Sequence, residues 1–304
     1  MLIPNQISVE KLSYELWEIQ GVQLAIKRLD QIHPLASGNK FFKLKYNLEQ
    51  AKKEGKNKLL TFGGAYSNHI YATAAAAEQE GFQTVGVIRG EETFPINPTL
   101  NAAKEKGMSL HYISRSAYRD KESPKFIDEL REIYGNFYLI PEGGTNYLAI
   151  KGTSEILSNE DKDFSHICTP LGTGGTFLGL ANSLLHHQEL LGFSALKGSF
   201  IHQEIDGQLK KFQIETHGKT KILNNYHFGG YGKHTAELLD FIRWFYLTFQ
   251  IPLEPIYTGK MAYGVLKLVQ KKYFPKGSKI LLLHTGGIQG VAGFNERFGL
   301  SLPL

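Results

Sequence analysis

The chain has almost no cysteine: Cys168 stands alone among 304 residues. No disulfide can form within it, and nothing argues for an oxidising compartment. Long apolar runs are missing too. The most hydrophobic stretches, such as Ile280-Leu281-Leu282-Leu283, have the length of a strand, far short of the roughly 20 residues a membrane helix needs. The opening MLIPNQISVEKL lacks a basic region followed by an apolar one, so no secretion signal is expected and the cytoplasm is the default. No internal repeat or low-complexity segment is present.

Positive charge is in excess but not concentrated. The net charge is +5, and the lysines fall in scattered pairs (Lys52-Lys53, Lys210-Lys211, Lys271-Lys272) among carboxylates. No helix reads as one basic face, so nucleic acid is not an expected partner. The histidines, among them His186-His187, His227 and His234, show no ligand-pair spacing on one helix face, so no metal is expected.

What the chain does contain is an alternation of short β-branched runs with helix-period segments, the pattern of an α/β fold with a mostly parallel sheet. Strands are predicted at Val22–Leu29, Lys58–Phe62, Gln83–Ile88, Ser109–Ile113, Phe137–Ile140, Ser165–Thr169, Leu191–Ala195 and Lys279–His284. Helices are predicted at Lys40–Glu54, Asn68–Gln79, Asn97–Lys106, Ser123–Tyr134, Tyr147–Leu157, Thr176–His187, Lys233–Thr248 and Lys260–Phe274. The stretch from about 198 to 230 carries no clear period.

Glycine clusters where strands give way to helices. Gly172-Thr173-Gly174-Gly175-Thr176 follows one predicted strand and opens a helix. Such a loop points several N–H groups at one anion, and a phosphate is the natural guest. It is neither common nucleotide motif: no Gly-Lys-Ser/Thr follows, and the third glycine of a dinucleotide fingerprint falls on Phe177. A second loop, Gly63-Gly64-Ala65-Tyr66-Ser67-Asn68, sets two hydrogen-bonding side chains at a helix start, where one of them would serve as N-cap. Lys40, in Ser37-Gly38-Asn39-Lys40, also stands where a helix begins. A cation is disfavoured there, which lowers the pKa and frees a neutral amine for Schiff-base chemistry.

Seven segments in order, S-G-N-K, G-G-A-Y-S-N-H, P-E-G-G-T-N, G-T-G-G-T, G-Y-G, E-P-I-Y-T-G-K and L-L-L-H-T-G-G, resemble the D-cysteine desulfhydrase and 1-aminocyclopropane-1-carboxylate (ACC) deaminase family. The resemblance runs from about residue 22 to 295. It implies a pyridoxal 5′-phosphate (PLP) enzyme of the tryptophan-synthase-β-like fold, with two open-sheet α/β lobes and the cofactor in the cleft. Residues 1–37 and 147–304 would form the large lobe and 38–146 a small mobile one. By the same resemblance Lys40 would hold PLP as a Schiff base, and Gly172, Thr173, Gly174, Gly175 and Thr176 would bind its phosphate. Asn68 would meet the 3′-oxygen, with Ser67 beside the substrate carboxylate or in proton transfer. Tyr231 and Tyr257 match the family's active-site tyrosines. A homodimer and a small amino-acid substrate are implied as well.

Two departures bear on the substrate. Ser37 replaces a glycine, and Tyr66 stands where the family commonly has glutamine before Ser-Asn, so its ring is expected to narrow or reshape the substrate side of the loop. Thr258 and Thr285, both expected by the resemblance to meet the cofactor, match the desulfhydrase branch, where ACC deaminases carry glutamate and leucine. A hydroxyl partner leaves the pyridine nitrogen largely unprotonated, which suffices for β-elimination better than for opening a cyclopropane. The expected reaction is therefore conversion of D-cysteine to pyruvate, ammonia and hydrogen sulfide. The alternatives are ACC deamination to 2-oxobutyrate and ammonia, or a PLP-binding carrier or regulator with little catalysis.

Overall fold

The computed structural model describes residues 2–304. In chain order it forms β1 (Val9–Leu12), α1 (Glu15–Ile19), β2 (Gln23–Lys27), α2 (Asn39–Lys53) and β3 (Lys58–Gly64). There follow α3 (Asn68–Glu80), β4 (Gln83–Arg89), α4 (Pro98–Glu105), β5 (Met108–Ile113), α5 (Pro124–Tyr134), β6 (Tyr138–Ile140) and α6 (Tyr147–Thr153). Next come β7 (His166–Leu171), α7 (Gly175–Ser183), β8 (Glu189–Ser194), α8 (Phe200–Lys211) and β9 (Lys219–Leu223). Then follow α9 (Ala236–Phe249), α10 (Thr258–Gln270), β10 (Lys279–Leu283) and α11 (Gln289–Phe298).

These strands build two sheets, ordered β1-β2-β10-β7-β8-β9 and β5-β4-β3-β6. Every pairing is parallel except β1 on β2. Parallel neighbours need long crossovers, and the intervening helices supply them while covering the sheets. The central strand β7 is accordingly buried at all six residues. The fold is α/β, as the alternation of segments requires. Among the described residues no helix is long and apolar enough to cross a membrane.

Each predicted strand and helix is present, with ends displaced by local chemistry. The helix expected from Thr176 to His187 stops at Ser183, because Leu184 is extended (φ −65°, ψ 145°). The one expected from Lys233 starts at Ala236, where the Thr235 side chain accepts the Leu238 N–H. The two unpredicted strands, β1 and β9, are the edges of the larger sheet. The first three residues of β9, Lys-Thr-Lys, are exposed, so the apolar signal of a strand is weak there. Helix α8 buries only Ile201 and Ile205, and it lies in the stretch whose period was unclear.

The apolar core is continuous between the sheets. One cluster joins Phe42 and Leu44 of α2 with Ile150 of α6, Leu178 of α7, Leu59 of β3 and Leu281 of β10. Burying such side chains stabilises by about 1.5–3 kcal/mol each. Helix α2, which carries Lys40, is therefore held by both sheets and not by the smaller one alone.

Candidate active site

The carboxyl ends of β3, β4, β6, β7 and β10 converge on a cavity of about 310 Å³, the usual ligand position in open α/β sheets. A larger groove of about 710 Å³ lies elsewhere, between residues 2–7 and α2. It receives none of these strand-end loops.

Lys40 lines the cavity from the first turn of α2. Gly38 brings it there. Its φ is +67°, and a Cβ on it would lie 2.0 Å from the Thr285 carbonyl oxygen, so glycine alone lets this loop press against the loop after β10. The Asn39 N–H donates to that same carbonyl at 3.2 Å. Burial pushes the Lys40 amine down to about 8, with the negative Glu254 opposing. The direction matches the sequence expectation, but desolvation is its leading cause rather than the helix terminus. Lys40 Nζ donates to Asn39 Oδ1 at 3.0 Å, and Asn39 Nδ2 donates to Thr176 Oγ1 at 2.7 Å. The lysine loop is thus tied to the glycine loop.

Gly172, Thr173, Gly174 and Thr176 line the cavity, with Gly175 buried beside them in the first turn of α7. The N-cap of α7 is Gly174 (φ +92°), and no side chain caps it. Helix-start N–H groups without a side-chain cap are ready donors to an anion. Lys43, one turn beyond Lys40, adds an amine. Its Nζ donates to the Gly143 carbonyl at 2.8 Å and would lie 3.0 Å from a Cβ on Gly175. Burial, then the Lys40 charge, hold it well below the ordinary lysine range. Gln208 of α8 closes over the same loop, its Nε2 donating to the Thr173 carbonyl at 3.3 Å. Uncapped N–H groups, a nearby amine and a lysine of lowered pKa are the donor set that a phosphorylated aldehyde requires. The residues fit PLP.

Across the cavity, Ser67 is both wall and cap: Oγ accepts from the N–H groups of His69 (3.2 Å) and Ile70 (3.4 Å) at the start of α3. Asn68 lines the cavity beside it, and its Oδ1 accepts from Gln289 Nε2 at 3.1 Å. Tyr231 and Tyr257 meet edge-on with ring centroids 6.0 Å apart. Burial, then Tyr231, push the Tyr257 phenol well above its ordinary range. Thr285 is buried and lines the cavity with Ser37.

Two sequence expectations part from this geometry. Thr258 is fully buried outside the cavity lining, and its hydroxyl donates to Glu254 Oε1 at 3.1 Å. Tyr66 does not narrow the cavity. Its ring packs at Gly293 and beneath the Arg297 guanidinium (5.2 Å), both on α11, and it is not among the lining residues.

Several site residues escaped the sequence reading. Arg89, at the last position of β4, and Glu142 line the cavity. His69 is buried there; its ring nitrogen Nε2 lies 2.9 Å from Thr61 Oγ1, which itself donates to the Ile140 carbonyl. Nε2 must then be the donor, which leaves Nδ1 a bare acceptor without a partner among the described residues. Burial, then Lys40 and Lys43, hold this imidazole neutral. Glu254 accepts the N–H groups of Ile256 (2.7 Å), Tyr257 (2.8 Å) and Thr258, and so closes the start of α10. Lys260 Nζ donates to the carbonyls of His227 and Gly230, at 2.9 and 2.8 Å, anchoring the turn that carries Tyr231. Glu142, His69, Glu254 and Lys260 sit within quoted motifs and Arg89 directly follows a predicted strand, so position relative to a strand end was the available signal.

Comparison with known proteins agrees with the geometry. The sequence profile of the family described as "Pyridoxal-phosphate dependent enzyme" matches residues 9–286. A putative 1-aminocyclopropane-1-carboxylate deaminase of Pyrococcus horikoshii is 30% identical, covering 97% of this chain and 94% of its own. The bifunctional D-cysteine desulfhydrase/1-aminocyclopropane-1-carboxylate deaminase, mitochondrial, of Arabidopsis thaliana is 28% identical over 89% of this chain and 74% of its own. Among solved structures, an ACC deaminase homologue superposes with a TM-score of 0.83 at 29% identity, over 98% of this chain and 94% of that one. With the profile spanning most of the chain and the cavity holding the donor set it needs, the chain belongs to the family of pyridoxal-phosphate-dependent enzymes.

Proposed function

We propose that the protein converts D-cysteine and water to pyruvate, ammonia and hydrogen sulfide. The observation that carries this reading is the buried Thr285 in the cavity wall, a neutral hydroxyl suited to the cofactor's ring nitrogen. The buried Glu254, beside Gly287, is committed to the α10 backbone. When bound, the cofactor supplies an electron sink for the carbon that loses its proton.

In this reading Lys40 holds the cofactor's aldehyde, the 172–176 loop and Lys43 hold its phosphate, and Asn68 Nδ2 donates to its 3′-oxygen. Lys40 Nζ, with its pKa lowered to about 8, is near the range in which an amine takes up a proton at physiological pH, and it serves as the base for the substrate's α-proton. Ser67 orients the substrate carboxylate: its oxygen already accepts two backbone N–H groups, so its own hydrogen is left to donate. Tyr257, held protonated by burial, donates a hydrogen bond to the departing sulfur, and Tyr231 screens it from water at the cavity mouth. Residues 1–37 with 147–304, and 38–146, form the two lobes that close on substrate, in a homodimer.

The test is a turnover assay of the PLP-loaded protein with D-cysteine, L-cysteine, D-serine and ACC. Hydrogen sulfide from D-cysteine is expected. Turnover of ACC alone, with 2-oxobutyrate as product, would replace the substrate assignment with the deaminase one.

A further inference from the structure

Asn68 and Gln289 lie 221 residues apart in sequence. One opens α3 beside the smaller sheet, and the other opens α11 after the last strand of the larger sheet. Both line the cavity. We propose that Gln289 is a positioning residue for the cofactor, fixing which end of the Asn68 amide faces it. The inference rests on the reading that Asn68 meets the cofactor's 3′-oxygen.

An asparagine amide presents a donor at one end and an acceptor at the other, with nearly the same shape either way round. Only the Nδ2 end serves an electron-rich oxygen. Gln289 Nε2 donates to Asn68 Oδ1 at 3.1 Å, which occupies the acceptor end and leaves the Nδ2 hydrogens for the cavity. The fit at this point is close. A Cβ on Gly287 would lie 2.7 Å from Asn68 Nδ2, and one on Gly290 would lie 3.1 Å from Oδ1. Glycines on both sides of Gln289 thus let the Asn68 amide rest against the entry to α11, within reach of the glutamine.

The neighbouring Tyr66 takes no part in this contact, its ring being turned onto Gly293 and Arg297. The amide partner of Asn68 comes from α11, on the other side of the cavity. As a consequence, the donor that reads the cofactor is held in place only while the entries to α3 and α11 stay together.

The experiment compares wild-type holoprotein with Gln289→Glu, Gln289→Leu and Asn68→Ala. It reads the PLP dissociation constant, the visible absorbance of bound cofactor and the pH titration of that band. Gln289→Glu keeps the shape but only accepts, so it turns Nδ2 of Asn68 toward itself and Oδ1 toward the ligand. Expected are a dissociation constant about tenfold weaker, an altered visible band and a shifted titration midpoint. Gln289→Leu, which merely releases the amide, should give a smaller change in the same direction. Thermal unfolding of the apoprotein should move little in Gln289→Glu, separating positioning from general destabilisation. If Asn68→Ala alters the band while both Gln289 variants keep the wild-type band and midpoint, the inference is overturned and the cofactor site stands. If Asn68→Ala itself leaves the band unchanged, the reading of Asn68 falls and the inference with it.

Discussion

Two of the glycine-rich loops that face the cavity, each ending a parallel strand and starting a helix, finish their helices in opposite ways. At α3 the chain closes its own terminus, with Ser67 Oγ taking the His69 and Ile70 N–H groups. At α7 the N-cap is Gly174, and no side chain caps the helix. A third start, that of α10, is closed by the Glu254 carboxylate. The four orphan N–H groups of a helix start must find partners. The starts of α2 and α11 at the cavity carry no side-chain cap either, so what marks the loop before α7 as the place for an external anion is its uncapped glycine backbone together with the Lys43 amine beside Gly175. The capped loop is freed for a different task and presents side chains instead of backbone.

The sharpest way to break that contrast is to cap α7 from within. Gly174→Asp would put a carboxylate where the anion belongs, as Ser67 puts an oxygen at α3. Its φ of +92° strains any side chain, and a Cβ there would lie 2.6 Å from Gln208 Oε1 and Ile205 Cδ1; Gly174→Ala is therefore the control. PLP retention should weaken about tenfold in the alanine variant and more than about a hundredfold in the aspartate one. Equal losses in the two, measured by equilibrium dialysis, would mean that strain and not anion exclusion governs the loop. Lys43→Met comes next. Removing the amine beside Gly175 should weaken PLP binding about tenfold, the order of one charge-assisted hydrogen bond. Competition by inorganic phosphate should weaken in parallel.

The contrast was partly legible in the sequence. Gly-Thr-Gly-Gly-Thr after an apolar strand reads as an anion loop, and Ser67 or Asn68 reads as a cap, because both inferences need only local chemistry. Lys40, Ser67, Asn68, Tyr231, Tyr257 and Thr285 do reach one cavity. Contacts made across the fold were not legible. Lys43 looks like any other lysine until Gly143 and Gly175 are beside it. His69 follows Asn68 in a quoted motif, but its orphan nitrogen exists only because Thr61 is pinned to Ile140. For Tyr66 too, sequence gives the bulk of the ring but not its direction, which Gly293 and Arg297 decide. Thr258 likewise read as a cofactor ligand, and the carboxylate four residues upstream holds its hydroxyl.

A milder perturbation probes the closed loop. Ser67→Ala removes the cap of α3, which costs about 1 kcal/mol and should lower the melting temperature by about 2–3 °C for a chain of this size. PLP retention should stay within about twofold, because the cofactor's phosphate is held at the other loop. Turnover should fall much further than retention, since the hydroxyl hydrogen that faces substrate is gone. A loss of PLP retention as large as that of Lys43→Met would show that the two loops do not divide the work.

The smallest expected effect lies at the third terminus. Lys40 reacts with an aldehyde only as the neutral amine, so the rate of cofactor capture by apoprotein should rise with pH up to about 8, where burial sets the amine, and then level off. Glu254 opposes that shift: its negative charge favours the protonated lysine. Gln at 254 would remove the charge while keeping an oxygen for the α10 N–H groups. The midpoint of the Glu254→Gln capture profile should therefore move below the wild-type value, by less than about one pH unit at the separations of neighbouring side chains. Stopped-flow absorbance after mixing apoprotein with PLP across pH 6 to 10 measures it directly. An unchanged midpoint would mean that Glu254 carries no charge in the folded protein, making its capping of α10 the whole of its function.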